Sequence, residues 1–475
     1  MIGIKSMGGY IPRYRLKRAE IARAMGGFSM PGSNAVCNFD EDSITMAVEA
    51  IRNSLDRTNA KEIDALFFGS TTAPYKEKQS SSTIALGADL SDKIFTCDLS
   101  NSLRSGVSAI LLAMDRVGNG QSKNAMVAAS DCRIGMCGSE FEKSFGDGSA
   151  ALLIGNENLI ATIDDSFYLD SDFIDIWRTE NDRFVSTWED RFIKTKGFQK
   201  IMNRVIKGLM DKCGLGPSDY QKAIINVPDF GTMLAVAKTN GFDPKAQLQH
   251  PMFDTIGYSG SAHPLLMLIA ALEEGSPGDK LLFASYGDGA IAMTLTLTEQ
   301  ISSYNITSIK DCLENQMELE SYETYLKLRK LIETEADRIP ALPSSAPYMW
   351  RDQNYFTRFY GSKCKKCGTT HYPRHRVCYK CKSKDDFEVI KLADKKGEII
   401  TYTKDGLFPS PIPPHVQTVI ELEGGCRIYA MMTDVKPDEL ENHMQIEMTF
   451  RLLHERSNFK HYGWKCRPLQ KRRIR

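Results

Sequence analysis

Asp42-Ser43-Ile44-Thr45-Met46-Ala47-Val48-Glu49-Ala50-Ile51, followed after a polar gap by Ala65-Leu66-Phe67-Phe68-Gly69, is the stretch on which the fold turns. Asp42 and Ser43 carry side-chain oxygens suited to capping a helix, and Ile44, Ala47, Val48, Ile51 and Leu55 recur at the spacing that lines one helical face. The run 65–68 is short and wholly apolar, so it reads as a buried strand that opens into a loop at Gly69. A helix followed by a buried strand is the unit of an α/β domain.

The unit recurs in both directions along the chain. Ile94-Phe95-Thr96-Cys97 is strand-like, Val107, Ile110, Leu111 and Met114 mark the helix after it, and Ala125-Met126-Val127-Ala128-Ala129 is a third strand. Residues 201–210 repeat the helical stripe, Ala223-Ile224-Ile225 reads as a strand, and Leu281-Leu282-Phe283-Ala284 ends at the loop Ser285-Tyr286-Gly287-Asp288-Gly289. The pattern predicts an α/β domain over 1–305 whose halves are alike in outline. A helical, charged segment with a Pro-rich linker (339–347) fills 306–348. A metal-binding ribbon is expected over 349–386. Short alternating strands, with turns at Lys396-Gly397 and Gly424-Gly425, predict a small oligonucleotide/oligosaccharide-binding (OB) type β-barrel over 387–475.

With 475 residues, 42% hydrophobic and 25% charged, the chain is long enough for two or three domains, and neither disorder nor a fibrous repeat fits. The balance of 60 basic and 60 acidic residues excludes a wholly basic nucleic-acid binder. It conceals an asymmetry: residues 351–475 hold 25 Lys+Arg against 15 Asp+Glu, a net of +10, which leaves −10 for the rest. No apolar run reaches the length of a membrane span and the first residues lack a secretory pattern, so a cytoplasmic protein without a membrane partner is expected.

Cys364-x2-Cys367 and Cys378-x2-Cys381 stand ten residues apart, the spacing of two knuckles that bring four thiolates to one tetrahedral ion. Four sulfur ligands leave no open position, so the expected ion is a structural Zn2+. His371 and His375, between the pairs, are alternative ligands. The other eight cysteines are scattered.

Gly9-Tyr10-Ile11-Pro12-Arg13-Tyr14-Arg15, the segment from Asp40 to Ala50, Gly69-Ser70-Thr71-Thr72-Ala73-Pro74-Tyr75, Phe145-Gly146-Asp147-Gly148-Ser149-Ala150-Ala151, Gly208-Leu209-Met210, Tyr258-Ser259-Gly260-Ser261 and Ser285-Tyr286-Gly287 together resemble archaeal-type 3-hydroxy-3-methylglutaryl-CoA (HMG-CoA) synthases. Residues 320–465 resemble the zinc-ribbon and OB-fold proteins that accompany such enzymes and thiolases. The resemblance implies a thiolase fold of two similar α/β halves, an acyl-CoA substrate that brings coenzyme A with it, and assembly with itself or with another thiolase-fold protein. It also locates three catalytic positions, and in this chain all three have lost their chemistry. The acyl-carrying Cys falls on Leu103, the general acid/base Glu on Thr71 and the His on Asn226. Cys97 and Ser102 are neighbouring nucleophile candidates, each also suited to packing or capping. His263, after the turn Gly260-Ser261-Ala262, and Tyr286 and Asp288, in the Gly-rich loop, are the polar groups left for acid/base work; Tyr258 stands near His263 in sequence, and His250 is the other histidine before residue 350.

Three readings follow. In the first, the chain is a subunit with a degenerate site that scaffolds a complete thiolase-fold partner and handles CoA through its ribbon and barrel. In the second, it is a Cys-independent aldol or retro-aldol lyase acting on a β-hydroxyacyl-CoA. In the third, the weakest, the barrel and the basic tail Lys471-Arg472-Arg473-Ile474-Arg475 bind single-stranded nucleic acid.

Overall fold

The computed structural model describes residues 1–55, 63–304, 308–333, 345–408, 410–456 and 458–471. Most of the predicted Pro-rich linker and the last four residues of the basic tail lie outside them.

Nine strands form one sheet: β1 (Gly3–Tyr10), β2 (Ala65–Gly69), β3 (Phe95–Leu99), β4 (Ala125–Asp131), β5 (Gly148–Gly155), β6 (Ala161–Asp170), β7 (Lys222–Asn226), β8 (Lys280–Tyr286) and β9 (Gly289–Leu297). Their spatial order is β7-β8-β9-β6-β1-β5-β4-β2-β3. Outward from the central antiparallel pair β1 and β6, each half repeats one rule: an antiparallel neighbour (β5 or β9), then another antiparallel strand (β4 or β8), then a parallel one (β2 or β7). This is the duplicated α/β architecture of the thiolase fold. The first half adds β3 at its edge, where the second half has only a bridge from Leu248 to Ala223.

Helix α1 (Ser43–Leu55) starts as its residues dictate, with Asp42 Oδ1 accepting the amides of Ile44 and Thr45. Helices α2 (Ser105–Gly118) and α3 (Lys200–Cys213) cover the sheet, and α4 (His263–Glu274), almost wholly buried, packs against both α2 and β7. Residues 308–331 also lie on this unit. Met317–Glu318 pairs with Tyr14–Lys17, and Arg329 reaches the buried Asp147 carboxylate at 2.6 Å.

The C-terminal strands β10 (Lys396–Asp405), β11 (His415–Leu422), β12 (Cys426–Met432), β13 (Gln445–Arg456) and β14 (Phe459–Pro468) close a barrel in the order β10-β11-β12-β14-β13. That circuit is OB topology. Between the two units lie three short strands, Tyr360–Cys364, Thr370–His371 and Phe387–Lys391, which carry the cysteine knuckles.

The barrel is seated on the first unit through its β13–β14 hairpin. Phe450, Leu452 and Tyr462 join Ile44, Val48, Ile84 and Ala88 in one apolar cluster. A side chain at Gly87 would stand 2.9 Å from the Phe450 ring, so the close approach needs glycine there. Around this cluster runs a buried ionic network. Arg451 pairs with Glu41 and Asp434, Lys465 with Asp40 at 2.8 Å, and Arg467 with Glu49 at 3.0 Å and Glu447 at 2.8 Å, while the Tyr462 hydroxyl donates to Asp42. The opposite charges of the two units meet here. These barrel cations face the acidic 40–49 segment. Among the described residues, no helix is long and apolar enough to cross a membrane.

Candidate active site

The two halves meet at a cavity of about 720 Å³. One wall comes from the loop after β2 (Ser70, Thr71) and the turn before α2 (Ser100 to Leu103); the opposite wall comes from Gly287, Asp288 and the segment Asp175–Asp182. The Gly-rich loop is pressed against the turn so closely that a Cβ at Gly287 would lie 2.6 Å from the Arg104 amide nitrogen. Glycine is therefore what lets the second half reach the Leu103–Arg104 turn. Leu103, immediately before α2, presents a hydrocarbon side chain there.

Thr71 is held by Asp131, a buried carboxylate at the end of β4 whose oxygens take five donors: the Ser70, Thr71 and Thr72 hydroxyls and the amides of Thr71 and Ser261. Asp131 thus ties the loop after β2 to the turn before α4. Asn226, at the end of β7, is buried beside the cavity without lining it; its amide donates to Ser285 Oγ at 3.2 Å and lies 3.5 Å from the Tyr258 hydroxyl.

The remaining candidates divide. Asp288 lines the cavity, with φ at +41° in the tight turn between β8 and β9. Tyr286 is buried behind it, its ring edge-on to Phe198 and its hydroxyl beside the Asp175 carboxylate without a well-formed hydrogen bond. Burial pushes the Tyr286 hydroxyl well up, and the nearby charges of Asp175 and Asp288 add to this.

His263 is not at the cavity. Its ring is stacked on Phe253 and packed against Tyr258, Nε2 meets the Pro251 carbonyl at 2.9 Å and Nδ1 accepts the Ser259 amide. Both nitrogens are used, and burial lowers the pKa to about 3, so the ring is neutral and braces the start of α4. The acid/base role expected for it gives way to a structural one. Tyr258 is likewise buried away from the cavity, and His250 is exposed. Cys97 sits on the edge strand β3, outside the cavity; Ser102 lines it, its hydroxyl accepting the Arg104 amide.

Among the cavity residues that escaped the sequence reading are Asp175, Arg133 and Arg178, and Tyr75 entered it only as part of a motif. Asp175 is buried, accepts the Ile176 amide, and is held above the ordinary carboxylate range by that burial, with Asp288 adding to the effect. The Arg133 guanidinium carbon stands over the Phe145 ring, 4.1 Å from its centroid. Arg178, at the mouth, donates to the Thr71 carbonyl. Tyr75 connects the cavity to the barrel, because its hydroxyl accepts the Lys460 amide and its ring faces Phe459 at the tip of the β13–β14 hairpin. Charged residues at and just past the end of a mainly apolar strand, as in Ser130-Asp131-Cys132-Arg133, were the available signal for Asp131 and Arg133.

In the ribbon, Sγ atoms of Cys364, Cys367, Cys378 and Cys381 all lie within 4.8 Å of one another, a set suited to one tetrahedral ion. The Thr369 hydroxyl and amide lower the Cys367 thiol to about 6, toward the thiolate a metal needs. His371 and His375 do not belong to this group; their rings contact each other at 5.7 Å.

Comparison with known proteins assigns the two parts. Residues 358–388 match the ChsH2 rubredoxin-like zinc ribbon domain. The chain is 32% identical to the hydroxymethylglutaryl-CoA synthase of Caldivirga maquilingensis over 344 residues, covering 70% of this chain and 98% of that protein. It is 30% identical to the Pyrococcus furiosus enzyme, over 70% of this chain and 93% of the relative. Among solved structures, an HMG-CoA synthase complexed with CoA superposes with a TM-score of 0.63 at 19% identity, covering 72% of this chain and 94% of that one. PksG, an HMG-CoA synthase from Bacillus subtilis, gives 0.60 at 19% identity, over 70% and 89%. The architecture defines a thiolase-fold protein. Within that class, the chain belongs to the HMG-CoA synthase family.

Proposed function

We propose that this chain binds an acyl-CoA thioester in the cavity between Leu103 and Asp288 and takes part in carbon–carbon bond cleavage or formation without carrying the acyl group itself. The observation behind this reading is the hydrocarbon side chain of Leu103 in the cavity wall, at the position the sequence resemblance assigns to an acyl-carrying Cys. A leucine cannot form a thioester, whatever surrounds it.

The geometry favours chemistry in this chain, because acidic groups still face the site. In a retro-aldol step, Asp175 as carboxylate takes the proton of the substrate β-hydroxyl. The Cα–Cβ bond breaks, its electron pair goes to the thioester enolate, the β-carbon leaves as a carbonyl compound, and the enolate carbon takes a proton from water. Asp288 stands at the rim and sustains the raised pKa of Asp175. The barrel's part is to shape the cavity through Tyr75, and a Zn2+ on Cys364, Cys367, Cys378 and Cys381 holds the ribbon together.

One observation supports the companion-subunit reading: β3 is an edge strand with a half-exposed Phe95, open to pairing with a second thiolase-fold chain. The experiment that tests the proposal is incubation of the purified chain with β-hydroxyacyl-CoAs, followed by product analysis and intact mass. Products without a covalent adduct support chemistry in this chain. Turnover appearing only with a co-purified partner supports the companion reading, and an acyl adduct on any residue overturns both.

A further inference from the structure

Cys37 follows the short strand Ser33–Val36, Cys132 follows β4, and both side chains join the apolar cluster under the barrel hairpin. One ion pair fixes the backbone of both. The Asp147 carboxylate accepts the Cys37 amide at 2.7 Å, and Arg329, bonded to that carboxylate at 2.6 Å, donates to the Cys132 carbonyl at 2.9 Å. The Cys37 sulfur, 3.5 Å from Met46 Sδ, is also within hydrogen-bonding reach of the Cys132 thiol. The two sulfurs are not equivalent. Cys37 is 2% exposed, and burial pushes its thiol well up, with the Asp147 charge adding to this. Cys132 is partly exposed; the hydrogen bond from Cys37, helped by the Arg329 charge, outweighs burial and lowers its thiol. Cys97, Cys137 and Cys213 are also partly exposed, but their sulfurs adjoin oxygens: the Asp98 carbonyl, the Tyr322 hydroxyl and the Thr294 hydroxyl.

We propose that Cys37 and Cys132 are an oxidisable pair, Cys132 being the thiol that reacts with a peroxide and Cys37 the thiol that resolves the product to a disulfide. In the first step the Cys132 thiolate attacks one peroxide oxygen and the O–O bond breaks. The sulfur is oxidised to a sulfenic acid, and the other oxygen is reduced and leaves as hydroxide. In the second step the Cys37 sulfur displaces hydroxide from Cys132. The S–S bond forms, the S–O bond breaks, and the Cys37 proton leaves with the hydroxide as water. Access sets the order, since a peroxide reaches the partly exposed Cys132 and the buried Cys37 meets its neighbour. The bond acts on the cavity wall. Cys132 stands between Asp131 and Arg133, and its amide donates to Thr72 Oγ1, which donates in turn to Asp131. Cys37 leads into the acidic 40–49 segment, and Asn38 donates to Thr433 Oγ1 and Asp434 Oδ1 on the barrel. A disulfide here therefore ties the wall that carries Thr71 to the segment on which the barrel is seated.

The test is peptide mapping of the zinc-loaded full chain after brief exposure to hydrogen peroxide, with remaining thiols alkylated before digestion. Wild-type protein is expected to yield a Cys37–Cys132 linkage that dithiothreitol reverses, with Cys132 becoming unavailable to alkylation about 10-fold faster than Cys97 or Cys213. Cys37→Ser should leave a sulfenic acid on Cys132, captured by dimedone, and Cys132→Ser should leave Cys37 reduced. The wild-type map stands even if a variant fails to fold. Oxidation of Cys97 or Cys213 as fast as Cys132 overturns the proposal, as does Cys132 oxidation that ends in sulfinic acid with no linkage to Cys37. A linkage of Cys132 to any other cysteine also ends it.

Discussion

Arg451, on the barrel, and Glu41, on the thiolase-fold unit, form an ion pair in which each side chain is only 1% exposed. It is the centre of a network that also holds Asp434, Asp40, Lys465, Glu49 and Arg467. Desolvating so many charges is offset only while every partner is present, so the network specifies one way of seating the barrel.

Removing one partner should therefore cost much more than a surface pair. Arg451→Met is expected to destabilise the protein by about 3–5 kcal/mol, since it strands Glu41 and Asp434 in the interface. Denaturant unfolding of Arg451→Met, Glu41→Gln and the double variant measures this, and the double variant should lose less than the sum of the singles.

The network also predicts acid sensitivity. Glu49 is fully buried, and although burial alone raises its pKa, Arg52 and Arg467 outweigh that and bring it from 4.5 down to about 2. A depressed folded-state pKa means stability that is complete above the unfolded value and is lost as pH falls from about 4.5 toward 2. The contribution is on the order of 3 kcal/mol at neutral pH. Thermal unfolding across that range should show a shallower acid slope in Glu49→Gln than in wild type.

His263 and Asp175 should separate cleanly. His263→Gln breaks the contacts to Pro251 and Ser259 and should cost roughly 1–3 kcal/mol of stability, while leaving kcat and its pH profile unchanged. Asp175→Asn should lower kcat by about 100-fold or more with the fold preserved. The raised pKa of Asp175 sets the sign: activity is expected to rise with pH as its carboxyl deprotonates, and that acid limb should vanish in the variant.

Chelation or Cys378→Ser should loosen the ribbon first. Hydrogen exchange is expected to accelerate in Tyr360–Cys364 and Phe387–Lys391 while β4 and β5 stay protected. The disturbance should spread next to the barrel, because Phe359 stacks on Trp464 and the Trp464 indole donates to the Thr357 carbonyl.

Much of the architecture was legible in the residue pattern. The Asp42 cap, the runs around Phe67 and Val127, the loop at Gly287 and the paired cysteines each carry a local rule strong enough to read without neighbours. That Leu103 and Thr71 lie at the site was legible too, through a motif: both residues line the cavity. Asp175 and Arg133 were not, since each is an ordinary charged residue until the fold brings it within reach of the Gly-rich loop. His263 was misread for the same reason in reverse: an active-site turn can present a histidine or bury it, and the Pro251 carbonyl and Phe253 ring bury this one.

The composition already held a division into an acidic larger part and a basic smaller one, and the local periodicities determined strands, helices and metal knuckles, because caps, alternation and thiol spacing act over a few residues. Only the tertiary structure decided that the two charge excesses face each other through Glu41 and Arg451, that a barrel hairpin braces Tyr75 at the cavity, and that Arg133 lies in its wall. Those are contacts between residues up to several hundred positions apart, and their energies depend on burial, which no local pattern records.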